Sequence, residues 1–273
     1  MDRAAAYAAL IEPDPAEKVR LARLAQAADD RTGNTVSFAA DAPGRPVRPL
    51  LVHPARVARR RLGSPAGRAA LIHAIAHIEF NAINLALDAV CRFGGMPADY
   101  YTDWMQVAVE EAHHFSLLRA HLNSLGHDYG DFSAHDSLWE MAEKTTDDVL
   151  ARMALVPRIL EARGLDVTPA LRERLSHVGD QAAAAILDII LADEVGHVAI
   201  GNKWFVVLCT ECGAKPRETF ERLAAERAAP WPRPPFNRLA RLAAGFDEAE
   251  LDRFEDVANE RLAALTGSAR ASR

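Results

Sequence analysis

Two short runs constrain this chain of 273 residues more than any other feature. Glu111-Ala112-His113-His114 and Glu194-Val195-Gly196-His197 each set a carboxylate and an imidazole three positions apart inside a long apolar segment. In a helix that separation puts both groups on one face. Lone glutamates stand on other apolar segments, and together they form the ligand pattern of a two-metal carboxylate site inside a four-helix bundle. The expected fold is all-α, with an N-terminal helix and extended arm over residues 1–64, a four-helix bundle over 65–210 and a helical C-terminal extension over 211–273.

Such a bundle needs one core of about 150 residues, so the chain ends should decorate it. There is no run of about twenty apolar residues and no signal-peptide pattern, which predicts a soluble, cytoplasmic protein with no membrane partner. Three cysteines, Cys91, Cys209 and Cys212, are too few for a disulfide framework and suit a reducing compartment. A formal net charge of −6 argues against general polyanion binding. The segment from Gly44 to Arg68, however, holds arginines at 45, 48, 56, 59, 60, 61 and 68 and no acid. Such an arm could hold RNA. Pairing of the same arginines with acids on the bundle surface is the plainer expectation.

Residues 2–30 are patterned as one amphipathic helix, and 31–64, with four prolines and little periodicity, as an arm that wraps the bundle. Ser64-Pro65 combines a capping residue with proline at the first helical position, opening a helix to about Phe93 that Gly94-Gly95-Met96-Pro97 ends. A second helix runs from about Asp99 to Leu125 and stops at Gly126. The turn-forming segment His127–Asp136 would span about 30 Å if extended, the length of a crossover between bundle ends. A third helix begins near Ser137 and a fourth covers about Asp180–Leu208. The run Pro230-Trp231-Pro232-Arg233-Pro234-Pro235 marks a rigid linker to one last helix.

Helical phase selects among neighbouring Glu-x-x-His pairs, because Glu110/His113 and Glu111/His114 cannot both point inward. Trp104, Val107, Glu111, His114, Leu118, Leu122 and Leu125 form one apolar stripe, so Glu111 and His114 are the inward pair. Leu187, Ile190, Glu194, His197, Gly201 and Leu208 align in the same way, and Glu79 lies among Ile72, Ile75, Ile83, Ala86 and Val90. A glutamate buried there without a companion is costly, which points to metal. Depth gives a second test. Glu79 lies 17 residues before Met96 and Glu111 15 after it. A turn at Val178-Gly179-Asp180 sets Glu161 and Glu194 at matching distances, and all four carboxylates then share one plane. The third helix must therefore run through Gly164 and Pro169 with a local break, and Pro157 adds a kink one turn before Glu161.

Glu79, Glu111-x-x-His114, Glu161 and Glu194-x-x-His197 resemble the ligand set of the ferritin-like di-iron carboxylate proteins. The stretches HAIAHIEFNAINLALDA, YTDWMQVAVEEAHHFSLL, GDFSAHDSLWEMA, LVPRILEARGLDVTP, DEVGHVAIGNKWF and PFNRLARLAAGF resemble, over about residues 10–245, a bacterial ferritin-like family called domain of unknown function 455. The LEARG segment and the following carboxylate helix are also similar to the di-iron tRNA hydroxylases that act on a prenylated adenosine. The resemblance implies a ferritin-like bundle in which Glu79, Glu111, His114, Glu161, Glu194 and His197 hold two iron ions. It further implies that a separate reductase supplies electrons and that O2 activation oxidises an organic substrate, a modified nucleoside in tRNA being one such substrate. Carboxylates with two neutral imidazoles suit iron or manganese, so Mn/Fe and Mn centres are also compatible. Glu110 and Asp193 directly precede ligand glutamates and are candidates to accept the histidine ring N–H groups. Two rivals stay open: a rubrerythrin-like peroxide reductase or ferroxidase, and a non-catalytic metal-binding scaffold.

Other signals have plainer expectations. Cys209-Thr210-Glu211-Cys212 is half of a rubredoxin-type site and is expected to be unreactive. His73 and His77 lie off the Glu79 stripe and should pack and hydrogen-bond. Tyr100, Tyr101 and Trp104 precede Glu111 by two to three turns; they could carry an electron, but core packing is the stronger expectation.

Overall fold

A computed structural model describes residues 2–27, 42–58 and 60–271, with 265–271 as backbone alone. Among the described residues the fold is all-α, and Leu51 and Ala134 form an isolated bridge. The α-helices are α1 (Arg3–Ile11), α2 (Pro15–Ala27), α3 (Pro65–Arg92), α4 (Ala98–Ser124), α5 (Ser137–Glu143), α6 (Val149–Leu155), α7 (Ala162–His177), α8 (Gln181–Glu211), α9 (Pro216–Glu226), α10 (Arg238–Ala243) and α11 (Glu248–Ala271). A π-helical turn, Val156–Glu161, joins α6 to α7. The chain divides into two compact units, Met1–Thr146 with Ala170–Ile190, and Asp147–Pro169 with Leu191–Arg273.

In the first unit, Ser64 Oγ accepts the Gly67 N–H at 3.1 Å, and Pro65 occupies the first turn of α3, where a missing N–H breaks no helical bond. The helix then buries Ile72, Ile83, Leu87 and Val90, each contributing roughly 1.5–3 kcal/mol, and packs chiefly on α4. By length and composition α3 could cross a membrane, but 78% of its most apolar window is buried inside the protein. The α3–α4 turn is closed by Gly95 at φ 81° and by Tyr101, whose hydroxyl donates to Phe93 O at 2.9 Å and accepts from Met96 N at 3.0 Å.

The helix expected over 2–30 is two helices. Pro13 has no N–H with which to continue α1, and Pro15 starts α2 afresh. Residues 28–30 of the expected helix, 31–41 of the expected arm and Arg59 lie outside the described residues. Two buried basic side chains satisfy helix carbonyls at C-terminal ends. Lys18 Nζ donates to Ala9 O and Leu10 O at 3.0 and 2.7 Å, and Arg3 donates to Val90 O and Cys91 O at 2.9 and 3.0 Å.

The described part of the arm lies on α3 and on the crossover. Arg45 pairs with Asp136 at 2.5 Å and reaches Asn81 Oδ1 at 3.4 Å, while Ala134 bonds both Leu50 and Val52 through its backbone. The crossover is pinned in turn by two buried histidines of α3. His77 Nδ1 meets the Tyr129 hydroxyl at 2.8 Å, and His73 Nε2 accepts the Gly130 N–H at 3.0 Å.

The third helix expected from Ser137 is interrupted after α5. Thr145 bonds back to Met141 O, and Asp148 caps a new helix by accepting the Leu150 and Ala151 N–H groups at 2.8 and 3.2 Å. Further on, α7 runs through Gly164 and Pro169, and Gly179 at φ 84° turns the chain into α8.

In the second unit, Arg241 and Asp166 form a buried ion pair at 2.8 Å, and Trp231, Phe220 and Phe254 cluster with ring centroids 5.2–5.7 Å apart. Where one last helix was expected after the proline run there are two, α10 and α11, separated by Gly245 at φ 92°. A further helix, α9, precedes that run.

Candidate metal centre

Glu79 on α3 and Glu111 and His114 on α4 converge in the first unit. One donor atom from each lies within 4.8 Å of the others, and the three residues are 5%, 1% and 0% exposed. His114 Nδ1 faces Glu111 Oε2 at 3.2 Å and Glu79 Oε2 at 3.7 Å. The alternative phase is turned away, since His113 is exposed and Glu110 is half-buried with Gln106 Nε2 donating to it at 2.9 Å.

The electrostatics of this group suit a cation. Burial, then the neighbouring Glu111 charge, pushes the Glu79 carboxyl well above the usual carboxylate range. Burial opposes a charge on His114, but hydrogen bonds and charges from Glu111 and Glu79 outweigh it and raise the imidazole to about 11. Two buried acids thus draw positive charge toward them. A bound metal ion supplies that charge directly, with Nδ1 already turned toward the carboxylates as a donor.

In the second unit, Glu194 and His197 face the same way one helical turn apart on α8, with His197 Nδ1 3.3 Å from Glu194 Oε2 and both residues buried. Glu161 ends the π turn and is 7% exposed. Gly164, three residues further on, faces the Glu194 carboxylate, and an added Cβ would lie in contact with it at 3.4 Å from Oε1. That face of α7 is therefore turned toward Glu194. Asp193 is half-buried beside it.

A family model described as "Protein of unknown function (DUF455)" matches residues 11–252. The chain belongs to the DUF455 family. An uncharacterized protein of Haemophilus influenzae is 49% identical to the DUF455 chain over 219 residues, covering 78% of this chain and 76% of that relative. No solved structure matches it.

In the DUF455 chain the second group is shaped by Pro157, whose kink the sequence signalled, and by Gly201 and Arg158, whose contacts it did not. Pro157 lacks the N–H for ordinary helical bonding, and the Ala162 N–H reaches back five residues to Pro157 O, which is the π bond. Gly201 on α8 admits the Pro157 ring, since a Cβ there would stand 2.3 Å from Pro157 Cβ. Arg158 is buried at 3% exposure, bonded to Asn202 and Glu250, and its guanidinium lies 4.5–5.3 Å from the ring centroids of Phe205, Phe220 and Phe246. Arg158 interrupts an otherwise apolar run over 153–160, and that interruption beside Pro157 is the signal the sequence offers for a buried charge here.

Other singled-out residues are structural. His73 and His77 hold the crossover, and Tyr101 closes the α3–α4 turn. Cys91 is buried, with its thiol pushed up by burial. Cys209 is buried and pushed up likewise, burial being the larger cause and Cys212 the next, while Cys212 is exposed.

Proposed function

We propose that this protein is a ferritin-like di-iron carboxylate oxygenase acting on an organic substrate in the cytoplasm. The observation that carries the proposal is the convergence of Glu79, Glu111 and His114 as buried donors within 4.8 Å of one another. Glu79, Glu111 and His114 would hold one iron ion, and Glu161, Glu194 and His197 the other. Iron bound there would activate O2 on electrons from a separate reductase. The chain's own residues supply negative charge and two neutral imidazole donors, keep bulk water out by burial, and fix each histidine through its carboxylate three residues earlier.

A nucleoside within RNA is the substrate class that the arm supports. Arg48, Arg56, Arg60 and Arg61 are exposed, and among the described residues none of them forms an ion pair, so the plainer expectation of surface pairing holds for Arg45. Exposed, unneutralised arginines favour phosphate.

The test is O2 uptake by protein loaded with Fe(II) under reducing mediators, with and without RNA bearing prenylated adenosine, followed by mass analysis of the nucleosides. Substrate-dependent uptake with one oxygen atom gained is expected. Rapid uptake that ignores every organic substrate while peroxide is consumed contradicts the oxygenase and favours a peroxide reductase. Charge reversal at Arg56, Arg60 and Arg61 should abolish RNA binding; unchanged binding removes RNA from the proposal.

A further inference from the structure

Of the six candidate ligands, Glu161 alone ends an irregular stretch of backbone, the π turn Val156–Glu161. A π turn holds one residue more than ordinary winding accommodates, so its return to α-helical winding would rotate everything beyond it by about 100° relative to α6. The Gly164 face, which meets Glu194, and Glu161 three residues before it would then be turned away. Such turns persist only where the surroundings hold them.

The surroundings here come from α8 and the C-terminal extension. Arg158, inside the turn, projects its guanidinium into a buried cluster where Nη1 donates to Asn202 on α8 and Nη2 to Glu250 on α11. Phe205, Phe220 and Phe246 surround it, contributed by α8, α9 and the segment between α10 and α11. Asn202 is itself fixed by donating to Ala244 O at 2.6 Å. Unwinding the turn would pull Arg158 from all of these at once and leave Glu250 buried without its cation, an outcome that strongly opposes the change. Pro157 against Gly201 locks the same turn from its other end.

We propose that Arg158, clamped by Glu250 and Asn202, is a positioning residue for Glu161, and that the C-terminal extension thereby sets the aim of one metal ligand. The consequence for metal rests on the di-iron proposal; the clamp itself does not.

The test compares full-length wild type with Glu250→Gln, which keeps a hydrogen-bond acceptor but removes the charge, and with Val257→Ala, a core truncation on α11 that serves as a control for general destabilisation. Amide hydrogen exchange over residues 158–162 should quicken at least about tenfold in Glu250→Gln, beyond any change in the rest of α7 and α8. Val257→Ala should show no such local excess. Co(II) titration followed by absorption should show two ions bound by wild type, with one of them weakened about tenfold in Glu250→Gln. Where Glu250→Gln does not fold, Asn202→Ala, which removes the other bond, takes its place. Exchange that rises only in step with the rest of the unit overturns the clamp. Two ions held as tightly as in wild type overturn the positioning of Glu161. If wild type binds no Co(II), the di-iron proposal fails, and the exchange comparison alone decides the clamp.

Discussion

A Cβ on Gly201 would stand 2.3 Å from Pro157 Cβ, whereas one on Gly164 would meet Glu194 Oε1 at 3.4 Å, an ordinary contact. The two glycines should therefore respond oppositely to alanine. Gly201→Ala forces Pro157 and the π turn to move and should destabilise by about 1–3 kcal/mol. Gly164→Ala gains about 0.5–1 kcal/mol of helix propensity against little crowding and should be neutral or slightly stabilising. Urea denaturation of both variants checks the contrast; equal losses would show that the Pro157 contact sets nothing. At this scale the candidate ligands were legible because a buried acid at apolar spacing is conspicuous, and phase alone separated Glu111/His114 from Glu110/His113. Arg158, Asn202 and Glu250 were not legible, because their significance lies in contacts between residues up to 92 positions apart.

Helix α3 joins two tasks, carrying Glu79 on one face and anchoring the crossover through His73 and His77 on another. Burial lowers both imidazoles from their usual 6.5 to about 4. Their folded values lie below the unfolded ones, so the unfolded chain binds more protons between the two. Their contribution to stability is fully present above pH 6.5 and is lost as pH falls to about 4, on the order of 3 kcal/mol for each histidine. Urea midpoints measured from pH 7 to pH 4 should fall in that window, and a His73→Gln/His77→Gln variant should show a flatter profile. A midpoint as pH-dependent as wild type in that variant would place the proton-linked loss elsewhere. The boundaries of α3, α4 and α8 were readable because apolar period, caps and glycines agree. The break between α1 and α2 and the gap after α5 were missed because amphipathic spacing continues across Pro13 and across Thr145–Asp148, where local proline geometry and the Asp148 cap override it.

On the scale of the whole chain, buried ion pairs rather than apolar contacts alone tie distant segments together within the second unit. Arg241 and Asp166 lie 75 residues apart and both side chains are 1% exposed. Arg241→Met removes the nearest partner of buried Asp166, leaving it Arg163 at 3.7 Å and the Asn237 N–H, and should cost about 3 kcal/mol, while Arg241→Met/Asp166→Leu should recover part of that loss; a double variant no better than the single would contradict the charge-based explanation. The all-α class was legible throughout because no long segment alternates with a period of two. The placement of the C-terminal helices was not, since α9 and α10 are short and their anchors, Arg158 and Arg241, take partners 92 and 75 positions away. The proposed function rests on the six candidate carboxylate and imidazole ligands. The most direct measurement is metal content by mass spectrometry after anaerobic loading with Fe(II) and desalting, for wild type, Glu79→Ala and Glu161→Ala. About two irons per chain in wild type and about one in each variant are expected; zinc, no metal, or iron that ignores both substitutions would contradict the di-iron centre.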